Sequence, residues 1–99
     1  MAYQSKFARR DIDELFDGIL TLKTREECYR FFEDICTVNE IHAISQRLQV
    51  AKLLVQKKTY SEIEKLTGAS TATISRINKC IAYGADGYQI VIKRMEEEQ

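Results

Sequence analysis

Three times in this chain a threonine is followed, three residues on, by a glutamate: Thr24 with Glu27, Thr37 with Glu40 and Thr59 with Glu62. In such a capping box the hydroxyl accepts from an early backbone N–H of a helix, and the carboxylate reaches back to the residue that opens it. Each pair precedes a run whose apolar residues return at helical spacing. No proline occurs anywhere in the sequence, so nothing fixes φ or removes a backbone donor inside those runs. A chain of this kind can be helical nearly throughout, and it is read here as all-α.

The spacing predicts six short helices. Residues 8–22 carry Ile12, Leu15, Phe16, Ile19 and Leu22 along one face. Thr24 opens the next helix, with Cys28, Phe31, Phe32 and Ile35 on one side. Thr37 opens the longest, to about Lys57, with Ile41, Ile44, Leu48, Ala51 and Val55 in step. Thr59 starts a fourth helix that stops at Gly68, a residue suited to a left-handed turn. A fifth follows at once, buries Ile74, Ile77 and Ile81, and ends near Gly84. Asp86 is the expected cap of a sixth, with Tyr88, Val91, Ile92 and Met95 inward. Glu96, Glu97 and Glu98 then fall at its C-terminal end, where the macrodipole disfavours negative charge, and the tail is expected to fray.

The stretch 59–83, TYSEIEKLTGASTATISRINKCIAY, is thus two short helices joined by a glycine turn. That is a helix-turn-helix, a unit that lays its second helix in the DNA major groove. Ser70, Thr71, Thr73, Ser75, Arg76 and Lys79 fall on the open side of that helix. Formal net charge is zero, but residues 1–36 carry −2, residues 37–83 carry +4 and residues 84–99 carry −2. The basic centre coincides with the helix-turn-helix and gives it the sign a phosphate-binding face needs.

Other functions find little support. His42, the single histidine, reads as a surface or half-buried residue of the long helix. Asp11, Asp13, Glu14 and Asp17, like Glu26, Glu27, Glu33 and Asp34, are spaced as solvated helix faces and not as a metal-binding loop. Cys28, Cys36 and Cys80 contain no CxxC pair, which argues against structural zinc and for reduced thiols acting as small apolar side chains. No Gly-rich phosphate loop, GxSxG or HExxH motif occurs. The expectations are no enzyme activity, no cofactor and no metal. No apolar run approaches the roughly 20 residues that span a bilayer, and the N-terminus lacks the core of a secretory signal; a cytoplasmic protein without membrane contact is expected.

At 99 residues the chain is read as a single domain, 1–99, near the lower end of what folds unaided. Its first two helices have broad apolar faces and few places to bury them. An intertwined homodimer, each chain's outer helices packing on the partner's, would solve this. It would also set two recognition helices about 34 Å apart, one for each successive major groove. A compact monomeric bundle is the alternative.

The run Gly68 to Arg76, GASTATISR, resembles the turn and recognition helix of the Trp repressor family. Thr37-Val38-Asn39-Glu40 opens a long helix in the same way, and Gln46-Arg47-Leu48-Gln49-Val50 matches its middle. Residues 37–83 align without a gap; residues 1–36 and 84–99 match only in helical character and order. The chain resembles in particular the Trp-repressor-like small bacterial proteins of the YerC/YecD type. The resemblance implies an intertwined all-helical dimer with a helix-turn-helix on each side, and regulation of transcription.

Carried over residue by residue, the family's DNA contacts fall on Ser70, Thr71, Ala72, Thr73 and Ser75. The chemistry agrees: the hydroxyls can meet donor or acceptor edges, the Ala72 methyl can touch a thymine methyl, and small side chains let the helix N-terminus approach a phosphate. Lys57, Lys58, Lys65 and Lys79 would contact phosphates and set the register. In the family's ligand pocket two arginines flank an indole ring and a threonine helps hold the carboxylate; they correspond to Arg47, Arg76 and Thr37. The capping role alone would account for Thr37. A glycine that makes room for the ring is here Ile77, and a serine one turn later is Cys80; Asp34 and Cys36 replace apolar residues before the long helix. Close-packed interiors do not yield such volume cheaply. The reading is a DNA-binding regulator that does not respond to tryptophan, with Arg47 and Arg76 left for another small effector, for ion pairs or for DNA. The competing reading is a protein-interaction scaffold built on the same helical dimer, which the even charge balance and acidic ends favour.

Overall fold

Thr24 and Thr59 both make the expected side-chain caps. In the computed structural model, which describes residues 3–98, Thr59 accepts from the Glu62 backbone N–H at 3.1 Å and the Glu62 carboxylate accepts from the Thr59 N–H at 3.1 Å, a complete capping box. Thr24 likewise accepts from the Glu27 N–H, but the Glu27 carboxylate takes the N–H of Lys23, one residue before the cap, at 2.8 Å. The described residues form six helices and no strand: α1 (Arg10–Ile19), α2 (Arg25–Ile35), α3 (Val38–Val55), α4 (Tyr60–Thr67), α5 (Thr71–Tyr83) and α6 (Gly87–Glu97). The order is the one expected, with α1 shorter at both ends and α3 shorter at its C-terminal end. Helix α6 runs to Glu97.

The chain forms two compact units, one reaching to Thr37 and one beginning at Val38. In the second, a core of Val50, Ala51, Ile63, Ala69, Ile74, Ile77 and Ile92 is closed by Leu48, Leu53, Leu54, Tyr60, Ile81 and Tyr88. Helix α3 is its spine and packs against α4, α5 and α6. That changes which of its residues are inside. Ile44 and Val55 of the expected stripe are exposed, while Val50 is fully buried beside Ala51 and Leu53 and Leu54 are half-buried. A helix packed by three neighbours buries a wider arc than a single stripe. In α6, Ile92 is buried and Tyr88 half-buried, but Val91 and Met95 are exposed.

One terminus is built differently from expectation. Asp86 occupies the N-cap of α6 in a left-handed conformation, φ 67°, and its carboxylate makes no cap hydrogen bond; the side chain of a capping aspartate needs an extended backbone to reach the first turn. Gly84 does end α5, through close approach and not a left-handed turn: a Cβ there would run into the Cys80 carbonyl oxygen.

The first unit contains α1 and α2. Phe31 and Phe32 meet edge to face at 5.4 Å, yet no residue of α1 or α2 is buried. Phe16 is 55% exposed and Leu20 81%. No helix among the described residues is long and apolar enough to cross a membrane.

Candidate nucleic-acid interface

The turn between α4 and α5 is fixed by three local devices. Gly68 takes φ 76°, the left-handed conformation that lets its N–H close on the Glu64 carbonyl at 2.9 Å. The Thr67 hydroxyl donates to the Ile63 carbonyl at 2.7 Å and accepts from the Ala69 N–H at 3.1 Å, bridging the corner. Ala69 then drops into the core. From the long helix, the Gln46 side-chain amide donates to the Thr67 carbonyl at 3.2 Å, so α3 caps the end of α4. At the other end of α5, the Gln89 amide of α6 donates to the Ile81 carbonyl at 3.1 Å. Helix α5 is therefore oriented by hydrogen bonds at both ends and by Ile74 and Ile77 beneath it.

The outward face of α5 presents Thr71, Ala72, Arg76 and Lys79, all exposed, with Thr73 and Ser75 half-buried at its flank. Ser70 is engaged locally: it is the N-cap, its oxygen accepts from the Thr73 N–H at 3.2 Å, and its hydroxyl donates to the Thr73 hydroxyl at 3.0 Å. The Thr71 hydroxyl donates to the carboxylate of Glu64, in the last turn of α4. Glu64 carries no apolar or capping signal, and periodicity and motif do not single it out. The signal available is its place: four residues before a left-handed glycine and seven before Thr71, where a tight turn folds α5 back against the end of α4.

Lys65 of α4 is exposed, as are Lys57 and Lys58 beyond α3. The latter two form the helix's terminal turn, with Lys57 left-handed at φ 66°. Its N–H reaches the Leu54 carbonyl and the Lys58 N–H the Leu53 carbonyl, each at 3.0 Å. This is a Schellman ending with lysine where glycine is usual.

The residues expected to hold a ligand divide between the two units. Thr37 closes the first unit. Arg47 and Arg76 are exposed, and neither has an ion-pair partner among the described residues. Arg47 and Cys80 lie close enough to Tyr88 to act on its ionisation: burial pushes the Tyr88 phenol above its ordinary value, Cys80 adds to this and Arg47 opposes it. Ile77 is 4% exposed, a core residue in full. A separate open groove of about 590 Å³ runs between α3 (His42, Ser45, Gln46, Gln49, Leu53) and the end of α4 (Leu66, Thr67), and includes neither arginine. No group of three or more His, Cys, Asp or Glu side chains among the described residues is placed to hold a metal ion.

With this geometry in place, comparison with known proteins is decisive on kinship. The Trp repressor protein family matches residues 10–96. The chain belongs to the Trp repressor family. Within that family it is 51% identical over 94 residues to the uncharacterised protein YerC of Bacillus subtilis (strain 168), covering 95% of this chain and 90% of that one. The solved structure of a candidate Trp repressor from Staphylococcus aureus superposes with a TM-score of 0.88 at 56% identity, covering 92% of this chain and 91% of that chain. A TrpR-like protein from Eubacterium eligens ATCC 27750 gives 0.88 at 50% identity, over 92% and 94%. The all-helical Trp repressor fold, and a helix-turn-helix of the type found in a family of regulators, follow from these matches together with the helix order.

Proposed function

We propose that the protein is a sequence-specific DNA-binding regulator of transcription, acting in the cytoplasm as a homodimer that reads DNA through α5. The observation that carries this is the division of α5 into two faces. Ile74 and Ile77 anchor it in the core, while Thr71, Ala72, Arg76 and Lys79 stand outward, next to Lys65 and within the +4 central stretch. Thr71, Ala72, Thr73 and Ser75 are the base-reading set; Ser70 fixes the helix start, and its backbone end is free to approach a phosphate. Lys57, Lys58, Lys65 and Lys79 supply phosphate contacts.

The homodimer is supported by α1 and α2, which bury no residue of their own. A second copy is the partner that would complete both units as one domain. Tryptophan is not the effector in this reading. Ile77 fills core volume where the family's ring pocket needs space, so a ring of that size would have to displace a packed side chain. Exposed Arg47, with Cys80 and Tyr88 nearby, leaves room for a different small anion.

The test is a selection from randomised duplex DNA with the purified chain, followed by titration across salt. A half-site repeated with two-fold symmetry, bound with a steep loss of affinity as salt rises, is the expected result. Failure to enrich any motif, with a stable protein partner captured instead, would favour the scaffold reading.

A further inference from the structure

We propose that Glu64 is a specificity residue of the DNA-reading face, holding Thr71 as a hydrogen-bond acceptor and so selecting a base that offers an amino group in the major groove. The inference rests on the DNA reading above and deepens it.

A threonine hydroxyl at the start of a recognition helix is ordinarily ambiguous, since it can donate or accept and rotates to suit whatever base edge it meets. Here that freedom is removed. Thr71 is the first residue of α5, exposed, and its proton is directed to the Glu64 carboxylate. With the donor spent, only lone pairs face outward. Of the two neighbouring hydroxyls, Ser70 is spent, donating to the Thr73 hydroxyl and accepting from the Thr73 N–H; the Thr73 hydroxyl keeps its own proton but lies half-buried at the flank of α5, two residues on from Thr71. The carboxylate, itself exposed in the last turn of α4, adds acceptors beside that oxygen. Acceptors alone suit the N4 amino group of cytosine or the N6 amino group of adenine. A guanine or thymine edge, presenting O6 and N7 or O4 opposite Thr71, would face the Thr71 and Glu64 oxygens with no proton directed at it.

Glu64 also stands among positive charges. It lies next to Lys65 and is one of three acidic residues in the otherwise basic stretch 37–83. A carboxylate there weakens attraction to every phosphate, whatever the sequence. In this arrangement general affinity is given up at the position where base choice is made.

The experiment compares the base preferences of the full chain with those of Glu64→Gln and Thr71→Val, by selection from randomised duplexes and titration of single-base variants of the selected site. Both side chains are exposed, and thermal melts confirm that each variant folds. The wild-type protein is expected to require C or A at one position, repeated symmetrically in each half-site. Glu64→Gln, whose amide can donate as well as accept, should relax that position by roughly ten-fold and bind all duplexes somewhat more tightly at low salt. Thr71→Val should relax the same position, and the double variant should lose no more than the single ones. A uniform change in affinity with base preferences unaltered would overturn the inference while leaving the DNA reading intact. Absence of any selected sequence for the wild-type chain would overturn the DNA reading, and this inference with it.

Discussion

The two units of this chain share their local chemistry and differ in what that chemistry achieves. Both contain helices opened by a capping threonine, Thr24 in one and Thr59 in the other. Both are amphipathic. Yet the helices after Val38 enclose a core with Val50, Ile63 and Ile74 at zero exposure, and the helices before it bury nothing. Capping and periodicity decide that a segment is helical; only a facing surface of matching area decides whether its apolar side is removed from water. The second unit supplies that surface from within, because α3 offers three sides to its neighbours. The first has only α1 and α2, and the proposed second copy is what it lacks.

The strongest way to break this contrast is to truncate matched apolar residues on each side of it. Ile63→Ala removes a fully buried side chain and should cost about 2–5 kcal/mol of stability at any protein concentration, measured by chemical denaturation. Phe16→Ser should act through association instead. With a ring of that size buried at a partner interface, the dimer dissociation constant should rise at least about ten-fold, read by sedimentation equilibrium, and the apparent stability should become strongly concentration-dependent. If the wild-type chain sediments as a monomer, and Phe16→Ser melts unchanged, the exposed face of α1 has no partner and the contrast needs another explanation.

What is legible in the sequence follows the same division between local and non-local causes. The helices, their order and the glycine turn can be read from it, because caps and Gly68 act within a few residues. So can the inner face of α5, where Ile74 and Ile77 pack on one spine. The buried arc of α3 cannot, since a stripe drawn through Ile44 and Val55 assumes a single neighbour. Val91 and Met95, expected inward, are exposed on the single chain, where α6 meets the core through Tyr88 and Ile92. At the proposed interface, Thr71 can be named from the sequence but its hydrogen bond to Glu64 cannot. That contact depends on the angle through which Gly68 turns the chain.

Alanine at two glycines separates the units by the sign of its effect. A Cβ at either Gly18 or Gly68 would have no atom within 4 Å, so crowding plays no part at either. Gly68→Ala forces a side chain into the left-handed region at φ 76°, and should destabilise by about 1 kcal/mol once the lower entropy of the unfolded alanine chain is counted. It should also loosen the turn that aims α5, weakening DNA binding beyond its effect on stability. Gly18 lies inside α1, and Gly18→Ala should stabilise by about 0.5–1 kcal/mol through helix propensity alone. Thermal melts of both variants at one concentration decide it. Loss of stability in Gly18→Ala would mean that another surface approaches α1 closely at that point, which would strengthen the case for a covering partner.

The smallest effect concerns Lys57, where the second unit accepts a local cost that its own rules would avoid. A lysine at φ 66° in a Schellman ending stands where glycine is relieved of the Cβ clash. Lys57→Gly should therefore raise stability by about 0.5 kcal/mol, the relief of the left-handed backbone partly offset by the greater freedom of glycine in the unfolded chain. If Lys57 is kept for its charge, the same variant should bind its DNA site more weakly at every sequence and lose close to two units from the slope of log affinity against log salt, since each protomer of the dimer releases one fewer counterion. Lys57→Gly and Lys57→Gln distinguish the two roles. Both should show the reduced salt slope, but only the glycine should melt higher. A glycine variant that gains stability and keeps the full slope would remove Lys57 from the phosphate contacts and leave Lys58, Lys65 and Lys79 to carry them.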